Sequence, residues 1–234
     1  MNVILVAGFW LKGSSWNDVV PALRDAGHTV HTPTLEGLAS VDDDRSAVTL
    51  ASQTAEIVAL IDSIPAAEQI VLVGHSGGGS IIHGAVDARP ARVVRAVYVD
   101  SWPTADGVAV NLELPAEGAD VPLPRWDGFG EADLRELTDD LRAWFRSIAV
   151  PEPVRVARDP QRLHDPARFE VPVTLIATTF TEEELQGYLD SGDEHFAEFP
   201  HLRSVTVVEL PTGHWPQFTR PRELAAAILE AISG

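Results

Sequence analysis

The chain has 234 residues, 45% of them apolar and 22% charged, with a net charge of −18 at pH 7. That composition excludes a disordered or low-complexity protein and fits one domain, long enough to bury a core without covalent staples. The absence of cysteine rules out disulfides, thiolate zinc sites, iron–sulfur clusters and a cysteine nucleophile, and 35 acidic against 17 basic residues would repel nucleic acid and anionic membranes.

The first apolar run, Asn2-Val3-Ile4-Leu5-Val6-Ala7, is too short for a secretory core and has no basic segment before it, so it reads as a strand over 3–7 and implies a cytoplasmic protein. A helix over 18–26, stopped by Gly27, leads to a strand over 28–32. A helix over 47–61 precedes a strand over 69–73, and a helix over 77–87 precedes one over 93–99. Further on come a strand over 173–177, a charged helix over 182–189, a strand over 205–210 and a final helix over 221–232 opened by Pro221. Several strands are almost wholly apolar, as strands covered on both faces are. The alternation predicts an α/β fold with a mostly parallel sheet of about six strands and helices on both faces. No apolar run approaches the roughly 18 residues of a membrane span.

The alternation breaks over 102–169, where prolines recur from Pro103 to Pro166 around a helical stretch at 132–148. The length predicts an inserted cap set into a core made of 1–101 and 170–234. Within it Leu134, Leu137, Leu141, Trp144, Phe145 and Ile148 recur at helical spacing, a stripe that packs into the core or roofs a pocket.

Gly74-His75-Ser76-Gly77-Gly78 lies immediately between a strand and an apolar-periodic helix. This is the setting of a G-x-S-x-G nucleophile elbow: Ser76 projects from a sharp turn, and glycines two positions away avoid collision with the backbone. The helix opening at Gly77 aims its positive end at the space above Ser76, where charge develops in acyl transfer. A serine hydroxyl needs a base, and His214, in Gly213-His214-Trp215 after the last strand, lies at the carboxyl edge that also carries the elbow. His28, His31, His83, His164, His195 and His201 have no comparable setting and read as surface or structural residues.

With these motifs the chain resembles the α/β-hydrolases from their third conventional strand to their last helix. Ala7-Gly8-Phe9-Trp10, Gly13-Ser14-Ser15-Trp16 and Ala26-Gly27-His28-Thr29-Val30 resemble the small esterases of the methylesterase and hydroxynitrile lyase-like branch, with Ala7 where those usually carry histidine. The resemblance implies an oxyanion hole from the amides of Gly77 and Phe9, and an acid in one of two places. After the strand over 173–177 the nearest carboxylates are Glu182 and Glu183, which a charged helix start explains equally well. At the end of the strand over 93–99 stands Asp100, whose carboxylate would be costly to bury without a partner such as His214. Asp100 is therefore the assigned acid, with Glu182 or Glu183 as the alternative.

The expectation is a serine hydrolase that cleaves carboxylic esters, lactones among the candidates, through Ser76, His214 and Asp100 and an acyl-enzyme. It needs no metal and no organic cofactor, takes a small-molecule ester as its partner, and works as a monomer or homodimer. Pocket walls from Trp10, Trp102, Trp126, Trp144, Phe145 and Trp215 would favour apolar or aromatic substrates. Two alternatives stay open: a non-catalytic small-molecule binding protein on the same scaffold, and a cofactor-free peroxidase or carbon–carbon hydrolase using the same triad. The resemblance gives hydroxynitrile lyases a pocket lysine, whereas the sole lysine, Lys12, lies in the loop after the first strand. Ser76 in place of aspartate argues against dehalogenase and epoxide hydrolase chemistry.

Overall fold

Six apolar runs pair into one parallel sheet. In the computed structural model, which describes residues 1–234, the chain runs β1 (Asn2–Val6), α1 (Val20–Asp25), β2 (Thr29–His31), α2 (Leu50–Ser63), β3 (Ile70–His75), α3 (Gly77–Ala88) and β4 (Val93–Val99). It continues through β5 (Asp120–Val121), α4 (Asp139–Ile148), β6 (Glu152–Pro153) and α5 (Val154–Arg158) to β7 (Val173–Ala177), α6 (Glu182–Ser191), β8 (Val205–Glu209), α7 (Pro216–Thr219) and α8 (Pro221–Ser233). The main sheet has the order β2-β1-β3-β4-β7-β8 with every pair parallel. β1, β3 and β7 are buried at every position, whereas β8, at the sheet edge, is half-exposed along its length.

The chain leaves β1 to one side for β2 and returns on the other side for β3. This reversal makes a crevice at the carboxyl ends of β1 and β3, the place where open α/β sheets bind ligands. The loop after β1 and the turn after β3 both empty into it.

Local chemistry moves several helix boundaries. α2 begins at Leu50 instead of 47, because Thr49 and Ser52 form a reciprocal capping box, each side chain accepting from the other's amide at 2.9 Å. The helix expected over 132–148 is confined to 139–148. Glu136 has φ +62°, and the Thr138 hydroxyl caps the Leu141 amide at 3.3 Å. The Glu136 carboxylate is held by Thr212 Oγ1 (2.7 Å) and by Arg220, which accounts for the left-handed residue that ends any helix there.

The segment between β4 and β7 carries the short antiparallel β5–β6 ladder together with α4 and α5. Its far end is tied into the core by a buried charge network. Arg168 donates to Glu198 Oε2 (2.8 Å) and Oε1 (3.1 Å) and to Asp87 Oδ1 (3.3 Å) on α3. Asp87 also accepts from the amides of His164 and Asp165, each at 2.9 Å, and His83 bridges Tyr98 Oη (2.8 Å) and Glu198 Oε2 (3.2 Å). Burial pushes the Glu198 carboxyl up, but its bonds to His83 and Arg168 outweigh that and hold it at about 2, below the ordinary 4.5.

A carboxyl depressed on folding adds stability that is complete above its ordinary value and is lost as pH falls through the folded value. The thermal midpoint should therefore drop between about pH 5 and pH 2. Glu198→Gln should start lower at neutral pH, because it breaks a buried pair, and should lose less over that interval. Calorimetry of both proteins across the acid range checks this.

Candidate active site

Ser76 sits between β3 and α3 with φ +51° and ψ −126°, a conformation that a non-glycine residue holds only where its surroundings impose it. They do so through three bonds: the Ser76 amide donates to Val99 O (3.0 Å), and Ser101 Oγ (2.7 Å) and the Gly79 amide (2.8 Å) donate to Ser76 O. The flanking glycines are steric requirements. A Cβ on Gly74 would stand 2.6 Å from the Gly78 carbonyl oxygen, and one on Gly78 would stand 2.5 Å from that of Ala7. A Cβ on Gly77 would strike the Phe9 ring.

His214 lies on the loop between β8 and α7. Its amide donates to Asp133 O (2.9 Å), and Gly213 lets the loop close on the backbone of Asp133 and Arg135, where any side chain would collide. The imidazole Nε2 accepts from Ser76 Oγ at 2.8 Å, and Nδ1 donates to Asp100 Oδ2 at 2.6 Å. Asp100, 5% exposed, follows β4 with φ +44°. Its Oδ1 accepts from the amides of Thr178 (3.0 Å) and Thr179 (2.9 Å), and Thr179 Oγ1 lies 2.9 Å from Oδ2 and 3.1 Å from Oδ1.

Burial alone would push the Asp100 carboxyl up, but the His214 bond and charge and the two amides hold it at about 2. Burial likewise disfavours a charge on His214, yet the bond and charge of Asp100 and the charge of Asp133 raise it above the ordinary 6.5. His75, fully buried below, donates from Nε2 to His214 O (2.6 Å). Burial and the neighbouring His214 lower it to about 3, so it stays neutral and fixes the loop backbone. Glu182 and Glu183 do not approach His214. They are exposed in the first turn of α6, where the Thr181–Glu184 capping box accounts for the acidic run.

The amide of Phe9 donates to no acceptor in the protein, and the amide of Gly77, the first residue of α3, has no helical partner. Both residues line, with Ser76 and His214, a cavity of about 420 Å³. Of the six aromatic residues expected in its wall, Trp10 and Trp102 are there. The other four are not. Phe145 and Trp215 are fully buried and pack edge to face at 5.2 Å, forming core beneath the His214 loop. Trp126 stands behind Phe129, with ring centres 5.7 Å apart, and Trp144 is 45% exposed with its ring against Phe218. Phe129, Phe180, Asn111, Asp133 and His195 line the cavity instead. No periodic pattern marked them, because they lie in irregular segments or short turns. A larger groove of about 570 Å³ beside α6 and β8 is lined by no serine, threonine or histidine. No group of three or more histidine or carboxylate side chains is placed to hold a metal ion.

A serine on a strained strand-to-helix turn, and a histidine after the last strand that bridges it to a buried carboxylate, are the arrangement of a serine hydrolase built on an α/β sheet. Residues 3–227 match the alpha/beta hydrolase family, and the chain belongs to it. It is 27% identical over 248 residues to a carbendazim hydrolyzing esterase of Nocardioides sp. (strain SG-4G), covering 96% of each chain. It is 28% identical over 249 residues to a pyrethroid hydrolase of Sphingobium wenxiniae, covering 98% of this chain and 86% of that one. The solved structure of an Arabidopsis methylesterase superposes with a TM-score of 0.76 at 20% identity, over 100% of this chain and 99% of that one, and shares the fold.

Asp100→Asn should leave the fold intact and lower kcat on an activated ester about ten-thousandfold through the wrong imidazole tautomer. The limb on which kcat/KM rises with pH should lie above 6.5 in the wild type, because His214 must be neutral to accept a proton. In Asp100→Asn it should move to lower pH. Steady-state kinetics from acid to alkaline buffers measure both effects.

Proposed function

We propose that the protein is a serine esterase that cleaves small apolar or aromatic carboxylic esters, lactones among them, through an acyl-enzyme on Ser76. The observation that carries this reading is the continuous chain of bonds from Ser76 Oγ through His214 to Asp100. Relatives named as esterases and hydrolases over nearly the whole chain make it a carboxylic ester hydrolase. His214 takes the serine proton as Ser76 attacks the carbonyl, and Asp100 steadies the imidazolium. The amides of Gly77 and Phe9 receive the oxyanion, and His214 then activates the water that releases the acid. In this reading the segment 102–169 caps the site. No helix is long and apolar enough to cross a membrane, and a chain without cysteine suits the cytoplasm, where it would act as a monomer or homodimer.

The wall of the cavity also bears on substrate choice. Phe9, Trp102, Phe129 and Phe180 supply apolar surface, and the lining contains Asp133 but no lysine or arginine. A carboxylate on the substrate would meet this acidic wall inside a protein of net charge −18, and an uncharged ester would not.

Intact-mass spectrometry after treatment with a small fluorophosphonate should show one adduct in the wild type and none in Ser76→Ala or His214→Ala. An unlabelled, folded wild type would turn the reading towards a binding protein. Among matched aryl esters, one bearing a free carboxylate should have a kcat/KM at least about tenfold below its uncharged counterpart, and Asp133→Asn should narrow that ratio.

A further inference from the structure

Trp10 directly follows the residue whose amide faces the serine, and its φ of +66° is one that non-glycine residues keep only where neighbours over-determine it. Three bonds do so here, all from the segment between β4 and β7. The Trp10 amide donates to Glu152 Oε2 (3.2 Å), the indole Nε1 donates to Val121 O (2.9 Å), and the Trp10 carbonyl accepts from the Val150 amide (3.0 Å). Val121 and Glu152 are opposite each other in the β5–β6 ladder, so one small ladder grips both the ring and the backbone of Trp10.

Glu152 is the unexpected member. It is 1% exposed and forms no ion pair. Burial pushes its carboxyl up to about 8, against the opposing effects of the Trp10 amide and the charge of Arg45, so near neutrality it is mostly protonated. An apolar side chain would fill the same space without the desolvation that a carboxyl suffers. What the carboxyl adds is an acceptor for the Trp10 amide. Without one, that buried N–H would be left unpaired or the loop would turn to find a partner. The peptide between Phe9 and Trp10 shares the Phe9 Cα with the Gly8–Phe9 peptide that carries the Phe9 N–H, so a loop that rearranged to pair the Trp10 amide would shift that N–H as well.

We propose that Glu152 is a positioning residue of the oxyanion hole, holding the Phe9–Trp10 peptide, through the Trp10 amide, in the orientation that presents the Phe9 amide to the developing oxyanion. The proposal rests on the esterase reading above for its consequence in catalysis, and on geometry alone for its effect on the loop. It differs from a packing role because it requires an acceptor and not a charge, so glutamine should replace glutamate and an apolar residue of similar size should not.

The test compares Glu152→Gln with Glu152→Leu and Glu152→Met, the last a flexible alternative should leucine prevent folding. Two readouts are taken on proteins with wild-type circular dichroism. In the apolar variants kcat on p-nitrophenyl acetate should fall by about tenfold to a hundredfold, less than the hundredfold to thousandfold typical of removing an oxyanion donor outright. KM should stay within about twofold, since the oxyanion exists only in the transition state. Hydrogen exchange in a peptide spanning 7–12 should quicken, and Glu152→Gln should restore both values to near wild type. Unchanged loop exchange in a folded apolar variant would overturn the proposal, as would unchanged kcat or a glutamine variant no better than leucine. If the wild type showed no Ser76-dependent turnover, the esterase reading would fall, and loop exchange would still decide whether Glu152 holds the loop.

Discussion

The Asp100 carboxylate is a negative charge placed at the end of a buried strand, and the local structure is arranged around keeping it there. Removing such a group from water is expensive unless its lone pairs are occupied. Oδ1 is satisfied by the amides of Thr178 and Thr179, the Thr179 hydroxyl lies within reach of both oxygens, and Oδ2 accepts from His214. The donors come from the turn after β7, the strand adjacent to β4, so the pairing of those two strands sets the position of this carboxylate. The same bond that satisfies Asp100 selects the His214 tautomer whose Nε2 is free to accept from Ser76. Stability and the proposed proton transfer therefore draw on one set of contacts.

A second constraint is steric. The turn after β3 and the loop after β1 approach so closely that the backbones touch, with Gly78 against the carbonyl of Ala7 and Gly77 against the ring of Phe9. This contact is available because β1 and β3 are neighbours although β2 lies between them in sequence. The sheet order thus places Ser76 and Gly77 on one bank of a crevice and Phe9, the other proposed oxyanion donor, on the opposite bank, and the glycines let the banks meet.

Most of this architecture was legible in the chain. All six strands of the main sheet and five of its helices follow from apolar runs and their punctuation, because strands covered on both faces need continuous hydrophobic sequence, whereas the four-residue α7 is too short to show a period. Ser76 was legible because the glycine spacing answers a local steric demand, and His214 because a histidine in a glycine-bearing turn after the last strand has one natural destination. Asp100 was separable from Glu182 and Glu183 on the cost of burying an unpaired carboxylate, whereas the two glutamates have an ample role at the start of α6. The cavity wall was less legible. Aromatic residues in 102–169 were candidates by type alone, and type does not tell Phe129, which faces the cavity, from Phe145, which packs beneath it. Glu152 gave no signal at all: an acidic residue between two prolines looks like surface, and only the folding of β5 and β6 onto Trp10 buries it.

The half-exposed edge strand β8 bears on how the protein behaves in company. Its outer row of backbone groups has no neighbour in the sheet, and unprotected edges of this kind are templates for pairing between molecules. β8 ends in Glu209 and lies beside the acidic start of α6, and the whole chain carries a large negative excess. Colloidal repulsion thus guards an edge that the fold leaves open. That guard depends on pH and salt in a way the hydrophobic core does not. In acid or concentrated electrolyte, well-folded molecules would lose their mutual avoidance before they lost their structure, so that solubility, and not unfolding, would set the range of conditions in which the protein can be handled.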